Sequence, residues 1–106
     1  MAGKIMDWID KARKQRELDF ESKYGPIRPK TDSRCFRREM LEELLDALNY
    51  ASWAKGKGEI NRYQWKNIDT GIRSVIRCIE AACNDRFLWE TDIQKVLQGT
   101  GQAKMI

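Results

Sequence analysis

Four carboxylates recur at helical spacing in one short stretch of the chain. Glu39, Glu42, Glu43 and Asp46 stand at i, i+3, i+4 and i+7 within REMLEELLDALNYASWA, residues 38–54. On an ideal helix, at about 100° per residue, they fall within an arc of roughly 100°, with Leu41, Leu44, Leu45 and Leu48 on the opposite side. Hard divalent cations such as Mg²⁺, or Mn²⁺, take carboxylate oxygens, and acids at this spacing can present several together. An Arg or Lys could compensate the charge instead, and a plain solvated face needs neither. Spacing alone leaves all three readings open. Tyr50 and Trp53 project on the acidic side one turn beyond Asp46. Two large aromatics there suggest that this face is covered, and a nucleobase could stack on them. Asn49, three residues past Asp46, could read a base or sugar edge, or bond to backbone.

Other candidates are more dispersed. Glu17 and Glu21 are spaced i to i+4 in the first helical stretch. They could add metal ligands across a helical hairpin, or simply pair with Arg13 and nearby lysines. Arg62, Lys66, Arg73 and Arg77 form one row if residues 60–86 are a continuous helix, and Arg73 and Arg77 share a face in any case. Arginine grips phosphate bidentately, so the row could hold an anion; as an ordinary polar face it would be partly paired with Glu80. Four tryptophans, Trp8, Trp53, Trp65 and Trp89, are many for 106 residues. Trp8, on an apolar helix face, reads as core or subunit contact. The chain has no histidine, which excludes a histidine base and histidine-ligated metals. Cys35, Cys78 and Cys83 match no zinc spacing and read as reduced, packed thiols.

The segment Glu42-Glu43-Leu44-Leu45-Asp46-Ala47-Leu48-Asn49-Tyr50 resembles the second metal-binding helix of the MazG-like nucleotide pyrophosphohydrolases, an all-α superfamily. Glu43 and Asp46 match its ExxD motif. Lys23-Tyr24-Gly25-Pro26, followed by a linker into the acidic helix, is also similar to small members; the likeness covers roughly residues 10–54. The resemblance implies Glu43 and Asp46, with Glu17 and Glu21, as Mg²⁺ ligands, and Glu39 or Glu42 as a further ligand or base. It implies Arg73 and Arg77 as triphosphate contacts. The implied activity is hydrolysis of a nucleoside triphosphate to monophosphate and pyrophosphate, in a homo-oligomer, most simply a dimer. The family's first metal helix carries EExxE, and this chain has none. The alternative is therefore a non-enzymatic helical module that binds a nucleotide, nucleic acid or another protein.

The elements that must position these residues are helical. Length predicts a single domain over 1–106. Helices are expected over 4–23 and over 34–54, the latter capped by Asp32 or Ser33. Lys55-Gly56-Lys57-Gly58 should break the second helix, and Glu59–Lys66 is open between a helical turn and an ordered loop. A third helix over 69–86, capped by Asp69 or Thr70, carries the stripe Ile68, Ile72, Val75, Ile76, Ile79, Ala82 and Cys83. A short fourth, Ile93–Gln98, would start at Thr91 or Asp92 and stop at Gly99, leaving a frayed tail over about 100–106. The expected class is all-α: a small bundle built on an antiparallel hairpin, with residues 4–23 and 34–54 paired, and completed by oligomerisation with Trp8 or Trp89 near the contact. Charge is mild at +4. No apolar run reaches the roughly 20 residues that span a bilayer, and no signal sequence is seen, so a cytoplasmic protein with no membrane partner is expected.

Overall fold

The 3.6-residue periodicity of the chain is realised as four helices: α1 (Ala2–Tyr24), α2 (Phe36–Lys57), α3 (Arg62–Ala82) and α4 (Arg86–Met105). A computed structural model of the protein describes the backbone of residues 2–83 and 85–105, and the side chains of residues 7–83 and 85–98. No strand occurs among the described residues, and the class is an all-α small helical bundle. No described helix is long and apolar enough to cross a membrane.

The chain divides into two units, residues 1–33 and 34–106. In the first, α1 ends where the sequence predicts. Lys23 lies in the last turn, where a cation suits the helix dipole. Gly25 takes a positive φ of 83°, and its N–H donates to the Glu21 carbonyl at 2.8 Å; Pro26 then blocks continuation. Phe20 and Tyr24 stack one turn apart, centroids 4.7 Å apart. Trp8 is exposed within this unit rather than in a core.

In the second unit the helix ends differ from the sequence expectation, each for a local reason. Cys35, not Asp32 or Ser33, is the N-cap of α2, and it makes no side-chain capping bond. Lys55-Gly56-Lys57 continues the helix. Only Gly58 adopts the left-handed conformation, at φ 86°, with Glu59 N–H closing on the Ala54 carbonyl at 2.9 Å. One glycine inside a helix costs only about 1 kcal/mol, so Gly56 does not by itself end α2. The third helix starts earlier than Asp69, at Arg62. Asn61 accepts from the Gln64 N–H at 2.8 Å while the Gln64 side chain accepts from the Asn61 N–H at 2.9 Å, a reciprocal cap that stabilises the start. Asp85 begins α4 by accepting from the Phe87 N–H at 2.8 Å, so α4 is far longer than Ile93–Gln98. Thr91 and Asp92 are interior to it; the Thr91 hydroxyl donates back to the Phe87 carbonyl at 2.8 Å.

α2 and α3 run antiparallel. Near their connection, the Lys55 ammonium sits 3.7 Å over the Trp65 ring; toward the far end, Leu41 shares the core with Ile79. α4 lies against the same end of α2. Leu41, Ile79, Trp89 and Val96 form the buried cluster, with Leu44, Leu45, Ile76, Cys83 and Ile93 packed on it. Trp89 is 7% exposed, so it belongs to this core.

Candidate functional site

The acidic row keeps its helical register on α2. Glu39, Glu43 and Asp46 are exposed and Glu42 is half-buried, on the side of the helix away from Leu41 and Leu45. None of the four makes an ion pair among the described residues. Burial pushes the Glu42 carboxyl above its ordinary value; Glu39, Asp46 and Glu43 push the same way and Arg38 opposes them. The neighbouring acids thus act against one another, with Arg38 only partly offsetting them. Tyr50 and Trp53 extend the face as an edge-to-face pair, centroids 5.6 Å apart at 86°. They are 67% and 64% exposed, so the face that the sequence suggested was covered is open within its own unit. Asn49 is exposed beside them, with no side-chain partner among the described residues.

A divalent cation is the group that the ExxD resemblance implies, and the donor set can be tested against it. Among the described residues no three or more Asp, Glu or Cys side chains converge as a metal ion requires. A single helix face spreads its carboxylates along the axis at about 1.5 Å per residue, so it presents neighbours rather than a cage. The acids of α2 therefore do not make a self-contained metal centre. In the first unit Glu17 is paired, 3.7 Å from Arg13 and 3.4 Å from Lys14, which is the pairing alternative. Glu21 is half-buried.

The basic row is continuous, because α3 runs unbroken from Arg62 to Ala82. Arg62, Lys66, Arg73 and Arg77 are all exposed. Arg73 is engaged by Asp69 rather than Glu80, with Nε 2.7 Å from the carboxylate. That bond raises the guanidinium pKa further. The acidic row and the basic row lie on the outer faces of two different helices, and no ion pair joins them among the described residues.

The best-built polar cluster is one that the sequence reading missed. Asp92, 3% exposed, accepts from Arg37 Nε at 2.6 Å and lies 2.9 Å from Arg38 Nε. The Arg38 contact is a close ion pair without hydrogen-bond alignment. The hydrogen bond to Asp92 raises the Arg37 pKa, against an opposing burial effect. Asp92 occupies the same α4 face as Trp89, Ile93 and Val96, so starting that helix at Asp85 would have exposed an acid within an apolar stripe. Between α2, α3 and α4 lies a cavity of about 240 Å³ whose lining includes Leu41, Ile76, Trp89 and Val96; these side chains offer nothing to a phosphate.

Together the fold and the site define an all-α helical bundle with a carboxylate-rich, aromatic-flanked helix face. Compared with known proteins, the chain matches no family model, no curated protein and no solved structure.

Proposed function

We propose that this chain handles nucleoside triphosphates together with a divalent cation through the outer face of α2, in the manner of the MazG-like pyrophosphohydrolases its ExxD segment resembles. One observation carries the reading. Glu42 is held at a raised pKa by burial and by three neighbouring acids, with an open aromatic pair at the end of the same face. A cation relieves repulsion of that kind, and an open aromatic pair offers a base a stacking surface. Because the acids of α2 are not a complete ligand set, the remaining ligands come from outside α2 or from the nucleotide itself. No hydrolytic step is assigned to these residues alone. A second copy of the chain is the natural further partner, as in the resembled family.

The convergence that is missing among the described acids favours a second reading. An exposed acidic and aromatic helix face also suits a basic protein partner, with no catalysis.

Thermal melts with and without millimolar Mn²⁺ separate the two, combined with pyrophosphate release from a panel of NTPs and dNTPs in Mg²⁺ or chelator. The first reading expects a Tm raised by metal in the unmutated protein, a much smaller response in Asp46→Asn, and metal-dependent pyrophosphate release. A Tm unmoved by metal in the unmutated protein would remove the metal reading and leave the protein-binding one.

A further inference from the structure

The register of the α2–α3 pair brings two cysteines to one end of the unit. Lys55 opposes Trp65 near the connection, and Leu41 joins Ile79 further on. Residues equally distant from the connection therefore face one another. Continued to the last turn, that register sets Arg37 opposite Cys83, with Cys35 two residues away. Three separate features agree with this placement. Cys35 is the N-cap of α2 and Cys83 the C-cap of α3. Both are half-buried, and Cys83 packs on the cluster that contains Leu41. Arg37 is near enough to both sulfurs for a thiolate at either one to act on its guanidinium.

We propose that Cys35 and Cys83 form a dithiol–disulfide site, closed by exchange with a low-molecular-weight disulfide. A thiolate of one cysteine attacks RS–SR; that S–S bond breaks, a mixed disulfide forms on the protein, and RS⁻ leaves and takes a proton. The second cysteine, deprotonated, attacks the protein-side sulfur and expels the second RS⁻, which is protonated in turn. Two protein thiols are oxidised and one small disulfide is reduced to two thiols. The nearby guanidinium is the kind of group that supports negative charge on a reacting sulfur.

Closure requires the two α-carbons within about 7 Å. Each cysteine has extended backbone at a helix end, φ −91° at Cys35 and φ −87° at Cys83, and adjustment there puts one terminal bond at stake on each side: Glu39 N–H to the Cys35 carbonyl at 3.0 Å and Cys83 N–H to the Glu80 carbonyl at 3.1 Å. The thiol contact that the reaction must release is weak: Cys83 Sγ donates to the Asp85 carbonyl at 3.6 Å. Cys78 is exposed on α3 and lies off the core-facing side of that helix, so it serves as an internal control.

The test uses the full chain, reduced and desalted, then titrated at pH 8 with oxidised glutathione and mapped without reduction. The expected product is a Cys35–Cys83 peptide in a chain of unchanged oligomeric mass. Its Tm should be raised on the order of 10 °C, reversibly with dithiothreitol, and the same product should form in Cys78→Ser. In Cys83→Ala, which keeps an apolar group against the core, Cys35 should stop at the mixed disulfide. Absence of the Cys35–Cys83 peptide across the titration would overturn the site. So would a Cys83→Ala chain that oxidises as the unmutated chain does, or cross-links formed chiefly through Cys78.

Discussion

α2 carries two charge clusters that obey opposite rules. At its N-terminal end, Arg37 and Arg38 turn inward and share the buried carboxylate of Asp92 at 2.6 and 2.9 Å. Along its outer face, Glu39, Glu42, Glu43 and Asp46 stand together with no cation bound to them among the described residues. The inner cluster is opposite in sign and partly desolvated, so its members depend on one another. The outer cluster is like in sign and mostly solvated, so its members are individually dispensable to the fold.

The sharpest way to break the comparison is at Asp92. Asp92→Asn keeps the shape but strands two guanidinium groups against an amide. Removing one partner of a buried pair costs about 3 kcal/mol, and the one-third exposure of the arginine side chains places the expected loss at the lower end of that effect. Urea titration followed by far-UV circular dichroism measures it. A loss no larger than that of an ordinary surface change would remove the distinction between the two clusters.

Glu42→Gln should act in the other direction and more weakly. A folded carboxyl whose pKa lies above the unfolded value binds a proton that the unfolded chain does not. Stability contributed by this group therefore falls as pH rises through the window between the two values, and it stays lower above the folded pKa. The neutral variant escapes this penalty. It should be more stable near pH 7 by about 0.5 kcal/mol, the size of like-charge pairs on a helix. The advantage should shrink as pH falls through the folded value and close below the ordinary carboxylate value of about 4.3, where the carboxyl is protonated in both states. Paired melts across pH 4–8 check the sign; a variant less stable at neutral pH would mean that Glu42 has a cationic partner.

The smallest effect on folding is expected from Tyr50→Ala with Trp53→Ala, within about 0.5 kcal/mol, because both rings are mostly exposed. The same pair should weaken nucleotide binding by about 1–3 kcal/mol if a base stacks there. Calorimetric titration with a nucleotide in Mg²⁺ sharpens the contrast, and unchanged affinity would place the base elsewhere.

Much of the architecture was legible along the chain. The leucine stripe of residues 41–48, the isoleucine stripe of α3, the Gly25-Pro26 stop and the acidic row all follow from 3.6-residue periodicity and local backbone chemistry. Those are near-neighbour properties, and sequence carries them directly. Helix ends were less legible, because capping depends on which of several competent residues wins. Asn61 with Gln64 outcompeted Asp69, Asp85 outcompeted Thr91, and only Gly58 of the two glycines near the end of α2 took the left-handed turn. What tertiary structure alone decided lies in the pairings between distant segments. Asp92 meets Arg37 and Arg38 across more than fifty residues, Trp89 goes to the core rather than the surface, and the α2–α3 register brings Cys35 and Cys83 to one end. Such partners are chosen by which apolar faces bury one another, a property of the assembled unit that no local window of the sequence contains.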